Sequence, residues 1–428
     1  MAEYLKQATP PEPEDLQEVR DTVSEILAAV RDEGEEAVRR YSRRFDDWDP
    51  PSFRVEPEAA EEARAELPGD LLDAMQFAHQ QIKSFARLQL ESMREFERET
   101  LPGVVLGQRH IPVRSAGAYV PGGRYPMFMS AQMSILTAKV AGVERVIACA
   151  PPWEGKGIYP PMLWSMHLAG ADEIYCVGGV QALAMMAYGV EGVEPVEFLC
   201  GPGNKYVDEA KRQLFGTVGI DLLAGPTEVC AIIDETADPE IVAADLLGQA
   251  EHGVTSPAVL ISTSRQNAER VVAEIGRQLE DLPTAEYAGE AWRRLGQVVI
   301  AEDYAEAVAL SDAVASEHLE VQTADNDYFL RNLRNYGTLF LGEEATVVFS
   351  DKAIGTNHIL PTKLAARYTG GLWVGKFLKT VTYQRCTAEG ALAVAPHAAV
   401  ISEHELFYGH AASARKRVEK YGAEGRER

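Results

Sequence analysis

The sequence predicts an α/β protein built on mainly parallel sheets, and three observations support this fold class. From about residue 103 onward, nine short apolar runs recur, helical stretches separate them, and Gly or Pro clusters end many of them. Near-continuous apolar strands are typical of a parallel sheet covered by helices on both faces. Nine strands indicate two such units, divided near residues 220–240. The runs are GAYVPGG, ERVIACAPP, EIYCVGG, VEFLCGPGN, EVCAIID, PAVLIST, QVVIAED, HLEVQT and GTLFLG.

The regions on either side of these runs have a different character. Residues 14–45 and 70–99 have the spacing and composition of helices, so the first hundred residues are predicted to be mostly helical. From about residue 345 the chain is polar and loop-like, and a helical tail is predicted over 387–421. The predicted organisation is a helical extension at 1–100, a first α/β domain at 101–235, a second at 236–345, and a loop with a helical tail at 346–428.

The composition excludes several classes of partner. Lys and Arg number 41 against 65 Asp and Glu, and this net charge of −24 argues against nucleic acid and anionic membrane surfaces. No run of 18 apolar residues predicts a membrane span, and the first residues lack the pattern of a signal peptide. Five cysteines without CxxC spacing favour a reducing compartment, so we expect a cytoplasmic protein.

One predicted helix, residues 237–253, carries the first candidate for chemistry. Asp238 is a suitable N-cap, Pro239 suits the first helical position, and Gly253 is a natural stop. Gln249 and His252 are three residues apart, so both side chains are expected on one face, where they can converge on one atom. The pair alone is a weak metal signature, and a helix-end histidine bonded to backbone is the alternative.

Three further pairs join a histidine to an acidic residue. They are Glu317 with His318, Asp351 with His358, and Glu405 with His410. A catalytic metal site needs three or four N or O ligands and an open position, and a neighbouring His/Glu pair could supply a general base. Taken singly, each pair is as readily structural as functional, so a noncatalytic metal-binding protein is one alternative.

The cysteines bear on a second alternative, a cysteine-dependent aldehyde dehydrogenase. Four of them lie in or at the ends of apolar runs and are interpreted as small core residues: Cys149, Cys176, Cys200 and Cys230. Cys386 follows Arg385 but has no base partner nearby in sequence. A thiolate mechanism therefore has weak support.

Glycine clusters mark the expected ligand edge of the first domain. They follow three of the apolar runs, at 121–123, 178–179 and 201–203, where parallel strands end. The sequence has no GxGxxG, and Gly201-x-Gly203 is half of that motif. A dinucleotide would therefore bind in a nonstandard arrangement.

Eight motifs, in order over nearly the whole chain, resemble the histidinol dehydrogenase family. They are YVPGG (119–123), LTAKVAGVERVIACAPP (136–152), VGGVQALAMMAYG (177–189), GPGNKYVDEAKRQ (201–213), IDLLAGPTEV (220–229), DLLGQAEHG (245–253), SEHLEVQT (316–323) and GTNHILPT (355–362). The resemblance implies two Rossmann-like domains with helical N-terminal and C-terminal extensions, the first domain binding NAD+, and an intertwined homodimer whose tail is swapped onto the partner. It also implies an NAD+-dependent zinc alcohol dehydrogenase, with one zinc ion per subunit, that oxidises a primary alcohol through the aldehyde to the carboxylate.

The resemblance implies a role for individual residues as well. The zinc ligands would be Gln249, His252, Asp351 and, from the partner, His410. His318 would be the general base for the alcohol proton, and Glu317 would activate water for the second oxidation. The substrate would contact Thr227, His358 and Glu405 besides the zinc ligands and His318. NAD+ would contact Tyr119, Gln181 and Asn204.

The substrate prediction rests on departures from the usual histidinol enzymes. Thr227 stands in place of a usual serine, and the segments RYPM (124–127) and RYTGGLW (367–373) resemble the family's sulfopropanediol 3-dehydrogenase branch. That branch oxidises 2,3-dihydroxypropane-1-sulfonate to sulfolactate. A sulfonate favours Arg, Lys or N–H donors, so Arg124 and Arg367, together with Lys363, are candidate contacts. Oxidation of L-histidinol to L-histidine is the alternative, followed by another small polyol or amino alcohol.

Overall fold

The computed structural model describes residues 3–9, 16–123, 125–190 and 192–424. The strands are β1 (Glu3–Lys6), β2 (Arg54–Val55), β3 (Phe96–Leu101), β4 (Val104–Pro112), β5 (Ser115–Tyr119), β6 (Arg145–Ala150), β7 (Glu173–Cys176), β8 (Phe198–Cys200), β9 (Gly219–Ile220), β10 (Val229–Ile233), β11 (Ala258–Ser262), β12 (Gln297–Ile300), β13 (His318–Gln322), β14 (Thr338–Leu341) and β15 (Leu378–Cys386). The helices are α1 (Leu16–Glu33), α2 (Glu35–Asp46), α3 (Pro57–Glu66), α4 (Gly69–Ser92), α5 (Met129–Ala131), α6 (Thr137–Ala141), α7 (Pro160–Ala169), α8 (Gly179–Tyr188), α9 (Lys205–Leu214), α10 (Pro239–Ala250), α11 (Arg265–Asp281), α12 (Ala285–Leu295), α13 (Tyr304–Val314), α14 (Asn326–Asn332), α15 (Val347–Lys352), α16 (Ala388–His404) and α17 (Tyr408–Glu424). A π-helical segment, Gln132–Leu136, joins α5 to α6, and 3₁₀ turns lie at Ala365–Arg367 and Val374–Phe377.

The chain divides into two compact units. The first comprises Met1–Leu90 with Val113–Phe377, and the second comprises Glu91–Pro112 with Leu378–Arg428. The first unit holds two six-stranded sheets, and the second holds a three-stranded sheet with α16 and α17.

The first sheet has the strand order β2-β7-β6-β5-β8-β9. Its strands pair in parallel except β2, which runs antiparallel to β7. Four of the predicted apolar runs form β5 to β8, which confirms that part of the fold prediction. The strands β6 and β7 lie on one side of β5, and β8 lies on its other side, so the strand order reverses between the neighbours β5 and β8. Open α/β sheets bind ligands at such a point, beyond the carboxyl ends of the strands.

The second sheet has the order β1-β12-β11-β10-β13-β14, and the other five predicted runs form β10 to β14. These strands are parallel, and β1 adds an antiparallel edge. At the carboxyl ends of β10 and β13 the Asp234 carboxylate accepts hydrogen bonds from Thr236, Tyr304 and the N–H of Ala324. Hydrogen bonds within the protein therefore occupy this end of the sheet, whereas His318 lies at the opposite, amino edge.

α10 connects the two edges of the second sheet. The Asp238 side chain accepts the N–H of Glu240, and such a cap contributes about 1 kcal/mol to helix stability. Gln249 lies in the last turn, whereas His252 lies just beyond the helix, where its N–H donates to the Gln249 carbonyl. The helix thus ends at Ala250, three residues before the predicted stop. Because α10 starts after β10 and runs back along the sheet, its C-terminal end reaches the amino edge where β13 begins.

Three predicted helical stretches differ from the structure. The stretch 14–45 is two helices, α1 and α2, because Gly34 adopts a φ of 66° between them; residues 14 and 15 lie outside the described part of the chain. The stretch 70–99 ends at Ser92, and residues 96–101 form β3 because they pair with β4 across a turn at Gly103. The tail is α16 and α17, separated at Leu406, whose φ is 64°.

The second unit is built on the antiparallel order β15-β4-β3. β15 and β4 pair without interruption from Leu378 opposite Pro112 to Cys386 opposite Val104. Among the described residues, no helix combines the length and the apolar character that crossing a membrane requires.

Candidate active site

A cavity of about 540 Å³ in the first unit is lined by about half of the predicted site residues. It lies between the carboxyl edge of the first sheet, at the loop after β8, and the amino edge of the second sheet, where β13 begins. The predicted residues on its wall are Asn204, Thr227, His252, Glu317, His318, Asp351, His358 and Lys363.

His318 is the first residue of β13 and is 2% exposed. Its Nδ1 lies 3.1 Å from the carbonyl oxygen of Glu228, a contact that places the proton on Nδ1. When the ring is neutral, Nε2 is therefore the basic nitrogen; it lies 3.7 Å from Asp351 Oδ1 with no hydrogen-bond partner. Burial lowers the pKa of His318, but the carboxylates of Glu317 and Asp351 outweigh burial and raise it to about 9.

Glu317 precedes His318 and is equally enclosed. The backbone N–H of Glu228 donates to its Oε2 at 3.0 Å, and the same oxygen lies 3.5 Å from His318 Nδ1. Burial raises the pKa of Glu317 to about 8, although the adjacent His318 opposes the change. A carboxyl group with this pKa can act as a general base near neutral pH.

Gln249, His252 and Asp351 have the properties of metal ligands. The Gln249 side chain is buried with its Oε1 unpartnered, and Asp351 Oδ1 is also buried without a donor. Burial lowers the pKa of His252, which favours the neutral imidazole that binds metals. Although burial favours the neutral acid, His318 holds the pKa of Asp351 well below its usual range, so Asp351 is a carboxylate. Two unpartnered oxygens and a neutral imidazole fit a zinc ion.

The predicted metal set is nevertheless divided between the two units. Gln249, His252 and Asp351 belong to the first unit and His410 to the second. Within the described residues, no group of three or more His, Cys, Asp or Glu side chains is arranged to hold a metal. The predicted set supplies only two residues of those types in the first unit.

His358 is placed firmly in the cavity wall. Its Nδ1 lies 2.9 Å from the Asp351 carbonyl oxygen and its Nε2 lies 2.8 Å from Ser130 Oγ. Burial lowers the pKa of His358, so it is a neutral ring that both orders the Asp351 backbone and faces the cavity.

The predicted NAD+ residues cluster at the reversal point of the first sheet. The Tyr119 hydroxyl accepts the N–H of Gly179, and burial raises the pKa of Tyr119 to about 12. Gln181 donates to the Asp46 carboxylate at 3.4 Å and has a buried, unpartnered Oε1. Asn204 caps α9 by accepting two backbone N–H groups. At Gly201, with φ of 113°, a Cβ would lie 2.0 Å from the Tyr119 carbonyl oxygen, so only glycine fits this close approach.

Three other predicted contacts, Arg367, Glu405 and His410, are exposed in the structure. Arg124 lies outside the described residues. Arg367 is exposed and donates to the carbonyl of Ala313, so the structure does not place it on the cavity wall. Glu405 follows α16 and His410 lies in the first turn of α17, and both are exposed in the second unit.

Sequence reasoning missed the part played by Glu228. Its N–H holds Glu317, its carbonyl holds His318, and its carboxylate accepts the N–H of Lys363. A signal was present, since Glu228 directly follows the predicted substrate residue Thr227. Two lysines, Lys205 and Lys352, also line the cavity without having been singled out.

The four cysteines of the first unit are buried. Cys149, Cys200 and Cys230 are buried in strands, and burial raises the pKa of each. Cys386 is exposed at the end of β15 in the second unit. None of the described residues that line the cavity is a cysteine, which removes the structural basis for a thiolate nucleophile there.

Comparisons with known proteins identify the family of this chain. The histidinol dehydrogenase family model matches residues 10–418. A histidinol dehydrogenase homolog from Shouchella clausii is 55% identical over 99% of this chain and 100% of its own length. A sulfopropanediol 3-dehydrogenase from Ruegeria pomeroyi is 46% identical over 98% of this chain and 97% of its own. The crystal structure of histidinol dehydrogenase from Elizabethkingia anophelis superposes with a TM-score of 0.92 at 32% identity, covering 97% of this chain and 95% of that one. The chain therefore belongs to the histidinol dehydrogenase family of oxidoreductases, which act on CH–OH groups.

Proposed function

We propose that the protein is a zinc- and NAD+-dependent dehydrogenase that oxidises a small primary alcohol through the aldehyde to the carboxylate. The observation that carries the proposal is the buried pair Glu317 and His318 facing Asp351 in the cavity, with His318 Nε2 open. One side chain with a free nitrogen and one carboxyl group with a raised pKa suit two successive proton transfers.

Gln249, His252 and Asp351, with His410 of the partner subunit, would hold the zinc ion. When bound there, zinc would polarise the alcohol oxygen, lower the pKa of the hydroxyl group and offset the charge of Asp351. The unpartnered oxygens of Gln249 and Asp351 support this assignment.

The chain's own groups account for the proton transfers. In the first oxidation, His318 Nε2 takes the hydroxyl proton while the alcohol carbon gives a hydride to NAD+, yielding aldehyde and NADH. In the second, Glu317 takes a proton from water as the water oxygen bonds to the aldehyde carbon. The resulting hydrate anion gives a hydride to a second NAD+, yielding the acid. NAD+ is proposed to bind at Tyr119, Gln181 and Asn204, in the crevice of the first sheet.

The proposed substrate is 2,3-dihydroxypropane-1-sulfonate, oxidised to sulfolactate. A sulfonate is a permanent anion, and Lys205, Lys352 and Lys363 line the cavity. The relative from Ruegeria pomeroyi, named for this substrate class, supports the choice. L-histidinol, which the names of other relatives indicate, is the competing substrate.

Side-by-side NADH assays with both sulfopropanediol enantiomers and L-histidinol test the proposal. We expect one sulfopropanediol enantiomer to give the highest kcat/KM and about two NADH per molecule at completion, because both oxidations occur at one site. Faster oxidation of L-histidinol would overturn the substrate assignment. One NADH per molecule with no further oxidation of added aldehyde would overturn the two-step reaction.

We also propose a homodimer with shared active sites, in which His410 completes the zinc site of the partner. Zinc content and activity are expected to be lost in both His252→Ala and His410→Ala. Co-expressing the two variants should restore about a quarter of the wild-type activity, since half of the dimers are mixed and each mixed dimer holds one intact site. The exposed variant His397→Ala is the matched control and should keep its zinc. If co-expression restores nothing, the site is not shared.

A further inference from the structure

A second acidic group lies behind the candidate site, on the same strand as His318. Glu320 is two residues further along β13 and is 0% exposed. One of its oxygens accepts the N–H of Val347 at 3.2 Å, and the other oxygen, Oε2, has no donor. A buried carboxylate with an empty oxygen is costly, so this geometry calls for a different protonation state.

Asp245 of α10 supplies the missing partner. Its Oδ1 accepts Thr346 Oγ1 at 2.9 Å and its Oδ2 accepts Gln322 Nε2 at 3.1 Å. Gln322 lies two residues from Glu320 on the same face of β13, and Thr346 precedes Val347, so the donors to Asp245 place it beside the Glu320 carboxyl group. Two buried carboxylates side by side repel each other unless one of them carries a proton. Because Asp245 already accepts two donors and Glu320 is the more deeply buried, the proton belongs on Glu320, with its O–H donating to Asp245.

We propose that Glu320 and Asp245 are a positioning pair that shares one proton and fixes the elements carrying the site residues. Asp245 is four residues before Gln249, so it holds the last turns of α10. Glu320 lies on the same face of β13 as His318. Val347 and Thr346 begin α15, which carries Asp351 one turn later. A single proton thus connects the three elements that present Gln249, His318 and Asp351. The positioning role rests on the proposed function.

The proton gives the pair a distinct pH dependence. Among the described residues, the titratable groups that face Glu320 are Asp245 from α10 and His318 on its own strand. β10 and β14 place Ala231 and Phe340 on either side of it. Burial and then the charge of Asp245 hold the pKa of Glu320 well above 4.5. The proton on Glu320 therefore stabilises the folded protein fully below the pKa of an ordinary carboxyl group. This stabilisation is lost as the pH rises through the pKa that Glu320 has in the folded state.

Glu320→Gln reproduces the protonated state permanently. Its amide N–H₂ can donate to Asp245 while its oxygen accepts from Val347. The folding equilibrium is measured by urea unfolding between roughly pH 5 and pH 8, at fixed protein and zinc concentrations. The folding equilibrium constant of the variant, divided by that of the wild type, should rise by up to about tenfold per pH unit. Glu320→Ala should weaken zinc binding, measured by chelator competition, by about tenfold or more, and Glu320→Gln should restore it.

Asp234→Asn is the matched control. Asp234 is also a buried acid, but its carboxylate accepts four donors and its pKa is lowered by them against burial, so an amide cannot replace it. We expect this variant to lose stability by a constant factor across the pH range and to keep its zinc affinity.

If the free energies of unfolding of Glu320→Gln and the wild type vary in parallel with pH, Glu320 carries no proton and the inference is overturned. Wild-type zinc affinity in Glu320→Ala would overturn the positioning role. If Glu320→Ala does not fold, the Glu320→Gln curve still decides whether the proton exists. Neither measurement needs an alcohol substrate. A protein that oxidises none of the tested alcohols but shows diverging curves would refute the proposed function and leave the pair standing.

Discussion

Replacing His318 with asparagine is expected to lower kcat by about 10²- to 10⁴-fold, the usual contribution of a positioned general base. The asparagine N–H₂ can still donate to the Glu228 carbonyl, as Nδ1 does, so the fold of the site should survive. What is lost is Nε2, the free nitrogen that faces Asp351. Initial rates of NADH formation with the best substrate measure the effect.

Zinc content and KM separate a lost base from a damaged site. We expect both to stay close to the wild type in His318→Asn. His79→Asn provides a matched buried histidine, bonded to Gln132 outside the cavity, and should leave kcat within about twofold. A kcat for His318→Asn within about fivefold of the wild type would show that another group takes the proton.

The second large effect is expected from Glu317→Gln, which should separate the two oxidations. The glutamine oxygen can still accept the Glu228 N–H, but the amide cannot take a proton from water. Oxidation of added aldehyde should fall by about 10²- to 10⁴-fold, while the first oxidation continues. The yield should drop from about two NADH per alcohol toward one, with aldehyde accumulating in a hydrazine trap. Loss of both steps in equal measure would contradict this division of roles.

The raised pKa of Glu317 gives the same assignment a pH test. A carboxyl base works only when ionised, so aldehyde oxidation by the wild type should rise with pH as it passes through a value of about 8. Glu317→Gln should lose this rise. Glu290→Gln, which changes a partly exposed carboxyl group paired with Arg293, should retain the wild-type profile. A wild-type profile that is flat through this range would argue against Glu317 as the base.

The fold class could be predicted because each parallel strand carries its own signal. Buried on both faces, a strand such as Val229–Ile233 is apolar throughout, and no tertiary contact is needed to recognise it. The strand Phe96–Leu101 could not be recognised in this way, because it is exposed and continues a helix-forming stretch. Only its pairing with β4 fixes it as a strand, and that pairing is a property of the assembled sheet.

The site was predictable in part, for a similar reason. Glu317 and His318 are adjacent in sequence, and Gln249 and His252 share one helix end, so short spacing indicated their proximity. Glu228 gives no comparable signal, because it acts mainly through its backbone. Arg367 has the right charge for an anionic substrate, yet its guanidinium binds a backbone carbonyl on the surface.

By itself the sequence determined the parallel α/β units, the family motifs and the residue types available for metal and proton chemistry, because periodicity and motif identity are local properties. The tertiary structure decided which edge of the second sheet is used. Asp234 is held by hydrogen bonds at the carboxyl edge, and α10 carries Gln249 and His252 back toward the start of β13. It also decided which atoms of the assembled site are left without partners, His318 Nε2 and Asp351 Oδ1 among them. Hydrogen-bond satisfaction depends on neighbours that are distant in the chain, so no sequence pattern specifies it.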